Sequence, residues 1–158
     1  DLEEAGLIAN SPRLIVVQPE GTAAIATALR NGAETITPVP GATSVADSLT
    51  VDAPRNAMLC LRQVRSSGGT GVIVSDGDIV AAIPRLASRT GVFAEPAAAA
   101  ALAGLDSALA EGLVHRRERI VVLITGSGLK DVEAAKRALE MPEPIAPTVD
   151  AVSARLRL

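Results

Sequence analysis

Residues 70–89 read TGVIVSDGDIVAAIPRLASR. Three consecutive β-branched residues, Val72 to Val74, sit between Gly71 and Ser75. A short apolar run without alternation fits a strand covered on both faces, as in a parallel sheet. From Asp76 to Arg89 the pattern turns helical. It opens on an acidic cap residue, Asp76, with a second acid at Asp78, and stops at Gly91. A strand passing directly into a helix is half of an α/β crossover.

The same unit recurs on either side. Leu14 to Val17 in PRLIVVQPE is a second strand candidate, and Ile120 to Ile124 in RIVVLITG is the strongest of all. Val92-Phe93 is a short third, which brings the strands to four. Helical patterns rich in Ala and Leu lie between and after them: Thr22 to Arg30, Asn56 to Ser66, Pro96 to Ala110 and Asp131 to Leu139. A short sixth helix fits Val149 to Leu156. Stops at Asn31-Gly32, Gly68-Gly69 and Gly112, and the Pro at the head of the 96–110 helix, agree with these limits. Residues 35–55 have no clear period and are punctuated by Pro38, Pro40, Gly41 and Pro54. They read as a substrate-facing loop or as a crossover with a short strand at Ile36 to Val39. The expected architecture is one α/β domain over residues 1–158, three layers deep (α/β/α), with a mostly parallel twisted sheet.

Composition removes several function classes. A chain of 158 residues is the size of one domain, and 48% apolar against 21% charged residues excludes disorder. One Cys cannot form an internal disulfide, and one His cannot build a His-rich metal site. A net charge of -3, a single Phe and no Trp or Tyr argue against nucleic acid as a partner. No apolar run approaches the ~20 residues of a membrane span, and no signal peptide opens the chain. A cytoplasmic location is expected.

Three stretches bring polar groups to strand ends, where ligands of open α/β sheets gather, and a fourth polar cluster lies in the aperiodic segment. In VVLITGSGLKD, the turn Thr125-Gly126-Ser127-Gly128 leads toward a helix; glycines there let backbone N–H groups approach a ligand, or they simply form a tight turn with Lys130 in solvent. The turn is neither a Walker A loop nor GxGxxG. In VFAEPAAAAALAGL, Glu95 either caps the helix opened by Pro96 or faces a ligand. Gln18-Pro19-Glu20-Gly21 follows the first strand as a turn. The small-residue stretch 42–55 holds Thr43, Ser44, Asp47 and Ser48, a substrate contact or a solvated loop. The Ala97–Gly104 stretch offers a smooth face for close helix-on-sheet packing. Cys60 reads as a small core residue, and His115 belongs to a solvated charged run, HRRER.

Taken in order, PRLIVVQPEG, TSVADSLTVDAPRN, SGGTGVIVSDGDIVAAI, GVFAEPAAAAALAGL and LITGSGLKD resemble the C-terminal part of threonine synthase, a fold type II pyridoxal-phosphate (PLP) enzyme. The resemblance runs from about Pro12 to Asp131 and implies the later part of a large α/β domain that walls a PLP cleft. The implied reaction converts O-phospho-L-homoserine and water to L-threonine and phosphate, with PLP as electron sink. Thr125 matches the threonine at the pyridine nitrogen, Gly126 and Ser127 the adjoining turn, and Glu95 the glutamate near the ring. Ser127 stands where His or Asn is more usual in the family. Lys130 matches the lysine of a GLKD signature, not the Schiff-base lysine.

The family's Schiff-base lysine and its Gly-rich phosphate loop are both absent, so no catalytic residue and no metal ligand is assigned. The opening DLEEAGLIANSP resembles the tail of the helix that follows that loop. The resemblance therefore implies an incomplete large domain, inactive alone, whose partners are the N-terminal portion of the same enzyme, an amino-acid phosphate substrate and a second copy in a homodimer. A related PLP-dependent lyase, such as threonine dehydratase or cysteate synthase, is the near alternative. A non-catalytic α/β module that binds anions or regulates a partner is the distant one.

Overall fold

The computed structural model describes residues 2–156. Asp1, Arg157 and Leu158, which the expected domain included, lie outside them. Two strands, β1 (Ile15–Pro19) and β2 (Thr70–Val74), pair in parallel with Ile15 opposite Thr70 and Val17 opposite Val72. Between them run α1 (Ala24–Arg30), a long irregular stretch and α2 (Ala57–Ser66); after them come α3 (Asp76–Thr90) and α4 (Pro96–Ala110). Two short helices follow, α5 (Val132–Lys136) and α6 (Val149–Leu156). The helix expectations hold to within a few residues, except that α5 is shorter than the stretch 131–139. The opening residues form turns rather than a helix, closed by the Leu7 N–H donating to Leu2 O at 2.9 Å.

Alternation along β1 makes the layers. Ile15 and Val17 face the cluster supplied by α3 and α4, where Ile79, Ile83, Ala99 and Ala103 are buried. Val16 faces the opposite cluster of Ala28 and Leu29 from α1 with Leu61 and Val64 from α2. Each fully buried Leu or Ile contributes about 1.5–3 kcal/mol. Small residues set the layer spacing. A Cβ at Gly71 would meet Ala26 O at 2.7 Å, and one at Gly104 would meet Val17 Cγ1 at 2.7 Å. The alanines of α4 thus serve close packing on the sheet.

Helix ends follow local chemistry, with one reassignment. Ser75, not Asp76, caps α3: its hydroxyl accepts the Asp78 N–H at 3.1 Å. Gly91 closes α3 at φ 75°, its N–H donating to Ala87 O, a left-handed position that favours glycine. At the head of α1, Gln18 substitutes for a cap. Its buried carboxamide oxygen accepts the N–H groups of Ile25 and Ala26 at 2.9 and 2.8 Å.

Residues 35–55 contain no strand at 36–39; their one regular piece is a 3-10 turn, Asp47–Leu49. They are pinned at three places. The Thr22 hydroxyl, fully buried, donates toward the carbonyls of Leu49 and Val51. Asp52 accepts the Gly41 and Ala42 N–H groups. Asp76 accepts the Ser44 hydroxyl at 2.5 Å and the Val45 N–H at 2.9 Å. Carboxylates bonded to backbone N–H groups are among the stronger hydrogen bonds a loop can make.

Two expected strands are not formed. Val92-Phe93 is irregular, and Ile120 to Ile124 pairs with no strand; Val121 and Leu123 are 79% and 71% exposed. The physical reason is the lack of a neighbour, because a strand exists only through its ladder. Instead, residues 118–123 and the start of β1 border a groove of about 660 Å³ that α4 also lines. Arg13 ties these borders together, donating to Leu113 O at 2.6 Å and to Glu118 at 2.7 Å.

Candidate functional site

The 93–95 and 125–130 segments meet as a small antiparallel clasp. Ala94 bridges Ser127, the Glu95 N–H donates to Gly126 O at 3.1 Å, and the Gly128 N–H donates to Phe93 O at 2.9 Å. Two backbone bonds of this kind fix the turn against the head of α4 without a formal strand. Ser127 shapes the turn further, its hydroxyl accepting the Leu129 N–H at 3.3 Å. The chain then makes a 3-10 turn, Gly128–Lys130, before α5.

The glycines here serve the protein's own side chains. A Cβ at Gly126 would collide with the Glu95 carboxylate, and one at Gly128 would lie 2.6 Å from the ring of Phe93. In this structure both have a packing role: one glycine seats an acid, the other the chain's single phenylalanine. Glu95 does not cap α4 through its side chain. The group is buried, and its carboxylate turns to Lys130, whose Nζ stands 3.0 Å from Oε2. Lys130 is exposed but paired. Thr125 is exposed at the entry to the turn, immediately before Gly126. The structure therefore brings Thr125, Gly126, Ser127 and Glu95 to one place.

The other polar candidates are occupied elsewhere. Gln18 is bound to α1 and Ser44 to Asp76, as described above. His115 is exposed, and its N–H donates to Glu118 at 3.1 Å. Cys60, on α2, is half-buried beside the cluster that α2 forms with α1, where burial pushes the thiol pKa up; such a thiol is poorly nucleophilic. Among the described residues no group of three or more His, Cys, Asp or Glu could hold a metal ion. None of their helices is long and apolar enough to cross a membrane. The 660 Å³ groove is a separate feature, lined by neither Thr125 nor Glu95. Sequence reasoning missed the seats of Phe93 and of Lys130. The signal available was an acid and a base in two motifs that each carry a lone glycine-spaced turn or strand end.

A family model described as pyridoxal-phosphate dependent enzyme matches residues 3–126. The chain belongs to this family. The match takes in Glu95, Thr125 and Gly126 and stops one residue before Ser127. Threonine synthase of Methanocaldococcus jannaschii is 40% identical over 142 residues, 90% of this chain and 35% of that protein. Threonine synthase of Methanosarcina acetivorans is 35% identical over 93% of this chain, and that of Mycobacterium tuberculosis 30% over 92%. The chain spans little more than a third of these relatives, 35% to 38% of their length. Among solved structures, a fungal L-serine ammonia-lyase from Rhizomucor miehei superimposes with a TM-score of 0.61 at 24% identity, over 87% of this chain and 44% of that one. Threonine deaminase isoform 2 from Solanum lycopersicum gives 0.60 at 22%, over 86% and 37%. At such identities they bear on the fold, the α/β arrangement of fold type II PLP enzymes.

Proposed function

We propose that this chain forms one wall of the PLP cleft of a threonine synthase, which converts O-phospho-L-homoserine and water to L-threonine and phosphate. The observation that carries this reading is the 40% identity to a threonine synthase across nine-tenths of the chain, a span that includes the Glu95 and Thr125 clasp. The residues present suit the ring end of the cofactor. Thr125, an exposed residue, offers a hydroxyl, a neutral group able to hydrogen-bond a pyridine nitrogen without the full charge pairing of a carboxylate. Glu95, packed against Gly126, has its charge matched by Lys130. Gly126 and Ser127 hold the hydroxyl's backbone in place. When bound, PLP supplies the electron sink for carbanion chemistry.

No residue of this chain suits the covalent role. Its two lysines, Lys130 and Lys136, each hold an ion pair, with Glu95 at 3.0 Å and with Glu133 at 2.6 Å. The catalytic lysine and the phosphate cradle belong, in this reading, to a further portion of the same enzyme, working in the cytoplasm as a homodimer. The groove beside β1, whose one pairing is with β2, supports such a completion.

Two measurements test the reading. Treating this chain with PLP and borohydride should leave no stoichiometric adduct; an adduct on Lys130 would overturn the assignment. The polypeptide at the relatives' full length should release phosphate from O-phosphohomoserine. Ammonia release from threonine with no phosphate release would assign it instead to a deaminating relative.

A further inference from the structure

We propose that Lys130 is a positioning residue for the cofactor-facing turn, acting through Glu95; the inference rests on the reading of Thr125 and Glu95 given above. Three observations converge. Glu95 is buried, with its side chain 11% exposed, and Lys130 Nζ lies 3.0 Å from its Oε2. The Glu95 carboxylate occupies the space that a side chain at Gly126 would need. The Glu95 N–H donates to Gly126 O. One residue thus holds the turn by its backbone and packs it by its side chain, and Lys130 sets where that side chain lies.

A buried carboxylate that loses its cation is left uncompensated, so it turns toward water. That movement empties the space beside Gly126. The turn then loses its packing, and Thr125, one residue earlier, loses its fixed backbone. In this proposal Lys130 acts only through Glu95. Its chain reaches back from the 3-10 turn Gly128–Lys130, so the same short segment supplies both the hydroxyl's support and the cation that steadies it.

The test uses the full-length protein, in Lys130→Met and Lys130→Arg forms beside the wild type. Amide exchange at Glu95 and Gly128, read without cofactor, should quicken roughly threefold to tenfold in Lys130→Met. PLP affinity, followed by absorbance, should weaken by a similar factor, and Lys130→Arg should restore both. Unchanged exchange in Lys130→Met would overturn the inference. So would quickened exchange with unaltered PLP affinity, or failure of arginine to rescue. A wild type that takes up no PLP yet shows the quickened, arginine-rescued exchange would refute the cofactor reading and leave the hold of Lys130 on the turn supported.

Discussion

Two stretches of this chain are alike in apolar character and opposite in fate. RLIVVQP, 13–19, becomes β1, with Val16 and Val17 sandwiched between helix layers. RIVVLIT, 119–125, stays irregular and leaves Val121 and Leu123 mostly in solvent. The apolar content is shared, so it cannot be what decides. β1 has β2 in register along its whole length and a helix over each face. The second stretch has α4 on one side and a groove where a neighbouring strand would lie. A ladder and two covers turn a run of valines into a strand.

The largest expected effect breaks the well-packed side of this comparison. Gly71→Val would drive a branched side chain into the backbone of α1 at Ala26. A loss of about 3 kcal/mol or more in unfolding free energy is expected by urea denaturation; a loss below about 1 kcal/mol would mean the layer can shift aside. On the other side, Val121→Ser with Leu123→Ser should change unfolding free energy by no more than about 1 kcal/mol. The same pair should reduce the self-association that exposed apolar surface promotes, read by sedimentation across a concentration series. Association that persists unchanged would place the adhesive surface elsewhere.

The smallest effect sharpens the border between the two stretches. Desolvation is the largest single influence and raises the Glu118 pKa, but the Arg13 hydrogen bond, the His115 N–H and the charges of Arg13 and His115 together outweigh it, leaving the carboxyl below its ordinary range. A depressed folded-state value contributes stability above the unfolded value, and this is lost as pH falls through the depressed one. Wild type should therefore exceed Glu118→Gln in stability at neutral pH, and the gap should close below about pH 4. A gap independent of pH would remove the ion pair as its source.

The helices were legible because their signals are local. Pro96, the acids at the head of α3 and the terminal glycines act within one turn, and the Ala-rich face of α4 shows in the letters alone. The 120–124 segment was not legible, because its state depends on a neighbour that no local pattern encodes. The clasp lay between these extremes. Glu95, Gly126 and Thr125 could be named from the chain, but the glycines' purpose could not. Whether a glycine admits a ligand or a neighbouring side chain depends on what stands more than 30 residues away. Lys130, taken as a solvated end, gained its partner the same way.

The seat of Phe93 on Gly128 makes these two positions a single exchange of volume. A methyl group at 128 would need the benzyl group at 93 trimmed to match, so drift at either site is constrained by the other. The clasp would then tolerate paired change far better than single change.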